Sequence, residues 1–63
     1  SILNILPAQV VEIADENPSQ VMVRLDTGGV PLLARVTRKS CAMLKLQPGT
    51  NVFAQVKSVA LLG

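Results

Sequence analysis

The 63-residue sequence has no histidine, tryptophan or tyrosine, one cysteine and one phenylalanine. Each absence removes a class of function. Without histidine there is no imidazole base for a nucleophilic triad, and the neighbours of Cys41 suggest no other base for it. A four-ligand zinc site is excluded, and a single cysteine forms no internal disulfide. Base-stacking platforms reduce to Phe53, which reads as a core or interface residue, so no nucleic-acid partner is expected. No glycine-rich phosphate loop ending in Gly-Lys-Ser or Gly-Lys-Thr is present, so this segment alone hydrolyses no nucleotide. The four carboxylates, Glu12, Asp15, Glu16 and Asp26, lie near turns without the pairing that acid–base catalysis needs. No run is apolar and long enough to span a bilayer, and the first residues lack a signal-peptide pattern. These absences predict a binding module rather than an enzyme, soluble and cytoplasmic, with no organic cofactor and no bare metal cation. The unpaired cysteine agrees with a reducing compartment.

What is present is apolar. The chain is 49% hydrophobic with a mean hydropathy of +0.45, more apolar surface than so small a body can hide. A single core of this size is marginal without disulfides or metal, so self-association into a dimer or larger symmetric assembly is expected. Charge is uneven: all four acids lie at or before Asp26, while Arg35, Arg38, Lys39, Lys45 and Lys57 follow with no acid among them. The C-terminal half is therefore expected to be electropositive and to suit an anion. The start at Ser1 rather than methionine favours a domain cut from a longer protein.

The pattern changes period in a defined order. Residues 8–14 read as a strand entered through Pro7, and Asp15 to Ser19 as a turn. Gln20 to Asp26 alternates, with Val21, Val23 and Leu25 on one face. Thr27-Gly28-Gly29 is a hairpin signal, and Val30 to Val36 places Val30, Leu32, Ala34 and Val36 on one face of an antiparallel partner. Ser40 to Leu46 has helical spacing and ends at Gln47-Pro48-Gly49, and the helix should plug the barrel end. Residues 51–59 form a fourth strand, and Ala60-Leu61-Leu62 extend it or bend into a short fifth. This order predicts an all-β fold, a small OB-like five-stranded barrel with one short helix between strands 3 and 4. Met22, Cys41 and Met43 are expected to be packing residues, and Gly28, Gly29 and Gly49 turn residues.

Two clusters combine hydroxyls with cations: Thr37-Arg38-Lys39-Ser40 at a strand-to-helix junction, and Lys57-Ser58 in the last strand. Taken singly, Thr37 is equally a helix cap, Ser40 an early helical residue, Lys57 a solvated strand lysine and Ser1 a frayed terminus. In order and spacing, however, three segments resemble the molbindin and TOBE domains. Ser1-Ile2-Leu3-Asn4 is similar to their Ser-x-Arg-Asn opening, Val36-Thr37-x-x-Ser40 to their Thr-x-x-Ser, and Val56-Lys57-Ser58-Val59 to their closing Val-Lys-Ala or Val-Lys-Ser. The resemblance covers essentially the whole chain. The runs Pro-Leu-Leu-Ala-Arg-Val-Thr and Ala-Gln-Val-Lys-Ser-Val are most similar to the C-terminal TOBE domains of bacterial molybdate-transport ATPases.

The resemblance implies a site for molybdate or tungstate between subunits. Thr37, Ser40, Lys57 and Ser58 would come from one chain, and Ser1 with the backbone around Ile2 from its partner. Such a dianion needs many fixed donors, and hydroxyls suit it because they also accept hydrogen bonds when the site is empty. It also implies a regulatory domain (residues 1–63), partnered by itself and, through a parent chain, by an ATPase domain and membrane permease at the cytoplasmic face of the inner membrane. Leu3 stands where the family pattern has arginine. Arg38 or Lys39 is a candidate replacement for the missing charge. The alternatives are a freestanding molbindin that stores molybdate and a dimerisation module with a decayed anion site.

Overall fold

The computed structural model describes residues 4–56, arranged around one long strand, β1 (Asn4–Asn17). Its first half pairs antiparallel with β4 (Asn51–Val56), from Asn4↔Val56 to Gln9↔Asn51. Its second half pairs with β2 (Gln20–Thr27), from Gln9↔Asp26 to Asn17↔Gln20. β2 in turn pairs with β3 (Val30–Thr37), giving the order β3-β2-β1-β4 and a sheet curled into a half-barrel. The helix α1 (Arg38–Met43) lies between β3 and β4 as expected.

β1 runs further at both ends than the 8–14 expected from sequence, and two details explain why it can. Pro7 sits opposite Phe53, and its carbonyl accepts from the Thr27 hydroxyl at 2.7 Å on the side away from β4. The N–H that proline lacks points to that same side, so the β1–β4 ladder loses nothing. At the other end, Asp15 and Glu16 belong to the strand, and the turn shrinks to Pro18-Ser19, where Asn17 Oδ1 accepts from the Ser19 N–H at 3.0 Å.

A bulge lies between Val10 and Glu12. Val10 faces Leu25 and Ile13 faces Val23, so the bulge shifts the inward-facing set from even to odd positions and keeps β1 apolar toward the core on both sides of it. The Val10 backbone is satisfied from the turn that leads into β4, since the Val10 N–H donates to Thr50 O and the Gly49 N–H to Val10 O, each at 2.8 Å. Gly49 reaches this position with φ +94°, in the left-handed region.

The buried core consists of Ala8, Val10, Val21, Val23 and Leu25, so the inward face of β2 is the one its alternation predicts. In β3, Leu32, Ala34 and Val36 pack against that core, but Val30 is exposed because it closes the hairpin opposite Thr27, beyond the core's edge. Gly28 and Gly29 both have positive φ, as a two-residue hairpin turn requires.

The helix differs from the expected Ser40–Leu46. It begins two residues earlier because Thr37 caps it, and it ends at Met43 because the chain turns into a left-handed residue at Lys45 (φ 52°). Lys45 N–H donates to Ala42 O at 3.1 Å and Leu46 N–H to Cys41 O at 3.0 Å, the paired bonds of a Schellman motif, with Leu46 returning to the core. None of the helix residues is buried, so α1 packs against the ends of β2 and β3 without filling the barrel interior. Cys41 is half-buried against the core, whereas Met43 is 71% exposed and does not pack as expected. Glycine is the usual residue at the Lys45 position. Lys45→Gly is therefore expected to stabilise the protein by about 1 kcal/mol, read as a higher urea midpoint at unchanged slope.

The expected fourth-strand residues 57–59 and the possible fifth strand at 60–62 lie outside the described residues. Among the described residues, no helix is long and apolar enough to cross a membrane, and no cluster of three His, Cys, Asp or Glu side chains could hold a metal ion.

Candidate functional site

Thr37 ends β3 in an extended conformation (φ −71°, ψ 151°), which is what a helix N-cap requires. Its Oγ1 accepts from the Ser40 backbone N–H at 3.0 Å and donates to Ser40 Oγ at 2.9 Å. The cap and the site are therefore the same pair of residues. Each hydroxyl can donate or accept in this bond, and the one that accepts keeps a proton to donate outward. Both residues are exposed.

The inner face of the half-barrel is an open apolar trough of about 550 Å³. Val36 and Val56 both line it, and they directly precede Thr37 and Lys57 in sequence. Leu33, Leu44 and Phe53 also line it and are 70%, 66% and 77% exposed, so Phe53 is not a core residue of the single chain. Lys57, Ser58, Ser1 and Ile2, the remaining candidate ligands, lie outside the described residues, as does Leu3.

The charge distribution differs from its appearance along the sequence. Antiparallel pairing brings late arginines onto early acids: Arg35 Nη2 lies 3.2 Å from Glu16 Oε1 and Arg38 Nη1 2.9 Å from Asp15 Oδ1, while Arg24 Nη2 lies 3.6 Å from Glu12 Oε1. Two of the five cations of the expected electropositive half, Arg35 and Arg38, are thus paired with early acids. Among the described residues, Lys39 and Lys45 carry no ion pair. Arg38, one of the two candidate replacements for an arginine at position 3, has its guanidinium on the β1–β2 turn, bonded to the Asn17 and Pro18 carbonyls and paired with Asp15. Spacing alone missed this, although Asp15 and the turn signal at Asn17-Pro18-Ser19 mark where an arginine could dock. The exposed pairs contribute little to stability, about 0–1 kcal/mol each.

A curled four-stranded half-barrel with one short capped helix between its third and fourth strands defines a small OB-like β domain. The chain belongs to the TOBE domain family, which matches residues 1–62. It is 56% identical over 62 residues to the molybdenum import ATP-binding protein ModC of Aromatoleum aromaticum, covering 98% of this chain and 16% of that one. To ModC 1 of Azotobacter vinelandii it is 52% identical over 64 residues, covering 100% of this chain and 18% of that protein. The chain thus spans about a sixth of the length of these relatives. Its structure superposes on a molybdate binding protein from Sporomusa ovata with a TM-score of 0.84 at 35% identity, covering 95% of this chain and 91% of that one.

Proposed function

We propose that this domain binds molybdate, or the nearly identical tungstate, at an interface between copies of the chain, as the regulatory part of a molybdate importer ATPase. The observation that carries this is the Thr37–Ser40 hydroxyl pair, exposed beside a trough that Val36 and Val56 both line. Ser40 is the direct donor and Thr37 its orienting partner. Lys57 and Ser58, next in sequence after Val56, add an ammonium and a hydroxyl, and Ser1 with the Ile2 backbone completes the cage from the partner copy. The similarity to molybdenum import ATP-binding proteins and to a molybdate binding protein supports the choice of anion.

The open apolar trough supports self-association, since a second copy or the segment after Val56 closing a fifth strand would remove it from water. An anion held by both copies favours the arrangement that holds it best, and this biases the attached ATPase units. The ATPase domain, the permease and the cytoplasmic face of the membrane follow from the same reading. A second reading, a freestanding molybdate store, is favoured by the match to nearly the whole Sporomusa chain. A nucleotide-binding domain encoded upstream of Ser1 would decide against it.

The test is calorimetric titration of the protein with molybdate, sulfate as competitor, and light scattering on the same sample. Saturable heat at a fixed anion-to-subunit ratio is expected. No heat at millimolar molybdate would refute the oxyanion reading and leave self-association as the function.

A further inference from the structure

We propose that Arg38 is a positioning residue for the oxyanion site, fastening the Thr37–Ser40 hydroxyl pair to the β1–β2 turn without touching the anion. This rests on the reading of Thr37 and Ser40 as anion donors. By sequence, Arg38 stands inside the Thr-Arg-Lys-Ser run and would be taken for the cation that meets a dianion. The structure turns it the other way. All three guanidinium nitrogens are engaged on one turn: Nε donates to Pro18 O at 3.0 Å, Nη2 to Asn17 O at 3.0 Å, and Nη1 pairs with Asp15 Oδ1 at 2.9 Å. The Arg38 backbone N–H donates to Ser19 O at 3.0 Å, so main chain and side chain grip the same turn.

The turn is itself braced, because Asn17 Oδ1 accepts from both the N–H and the hydroxyl of Ser19. Arg38 therefore ties the first residue of α1 to a fixed point. The caps and hydroxyls on either side of it are held in one orientation while its charge is matched by Asp15. The planar fork presents donors from three separate nitrogens that match two carbonyls and a carboxylate, whereas the three N–H donors of lysine radiate from one nitrogen and do not span the same acceptors. Charge and geometry can thus be separated by substitution.

The experiment compares molybdate affinity in wild type, Ser40→Ala, Arg38→Lys, Arg38→Ala and Asp15→Asn, at near-physiological salt and at a temperature where circular dichroism shows each variant folded. Arg38→Lys and Arg38→Ala are both expected to weaken binding by about tenfold, the equivalent of one misaligned charge-assisted hydrogen bond. Asp15→Asn is expected to bind no more tightly than wild type. Retained affinity in Arg38→Lys with loss only in Arg38→Ala would make Arg38 a ligand by charge and overturn the proposal. So would tighter binding in Asp15→Asn, which frees the guanidinium for the anion. Wild-type affinity in both Arg38 variants, with only their melting temperatures lowered, would overturn it by showing a purely structural role. Failure of the underlying reading looks different: wild type gives no heat, or Ser40→Ala binds like wild type, and the proposal then falls with it.

Discussion

Leu25→Ala is expected to destabilise the protein by about 2 to 4 kcal/mol, through lost apolar transfer and the cavity left behind. Leu25 is 6% exposed and lies opposite Val10 of β1 and Leu32 of β3, so β1, β2 and β3 lose a packing contact together. A domain of this size holds roughly 0.1 kcal/mol per residue, on the order of 6 kcal/mol in all. A single side chain therefore carries a large share. Urea unfolding should show a midpoint reduced by a third or more, and Leu25→Met, which conserves volume, should stay within about 1.5 kcal/mol of wild type. A small loss in Leu25→Ala would mean that the five-residue core is not what holds the sheet together and that association supplies the stability.

The second large effect is on binding. Ser40→Ala removes the hydroxyl assigned to the anion but keeps the backbone N–H that Thr37 caps, so the helix start should survive. A hydrogen bond to a charged group contributes about 1.5 to 3 kcal/mol, so molybdate affinity should fall by about 10- to 150-fold with little change in unfolding midpoint. Thr37→Ala should behave differently. It loses the cap as well, a stability cost of about 1 kcal/mol, whereas Thr37→Ser keeps cap and orientation and should bind nearly as wild type. If Ser40→Ala loses stability but not affinity, the hydroxyl pair is a cap and nothing more.

Much of this was legible in the residues. Val21, Val23 and Leu25 alternate without interruption, and a strand with one buried face admits only one register, so β2 and its hairpin to β3 follow directly. β1 was harder, because consecutive Val10 and Val11 break the period, and only the β1–β2 register, which skips Val11, reveals the bulge there. The helix ends shifted because capping, decided by the conformations of Thr37 and Lys45, outweighed the apolar spacing that extended to Leu46. The hydroxyl pair was visible as Thr-x-x-Ser, but the surroundings of its neighbour Arg38 were not. Sequence order shows a cation between two hydroxyls, and only the fold shows that Asp15 and two carbonyls have already claimed it.

The pairing of Asn4 with Val56 has a mechanical consequence. The chain enters the described sheet at Asn4 and leaves it at Val56 side by side, at the same end of the β1–β4 ladder. Tension applied at these two points would unzip the β1–β4 ladder pair by pair, from Asn4↔Val56 toward Gln9↔Asn51, rather than shear it, and the β2–β3 hairpin would carry no load until that ladder had opened.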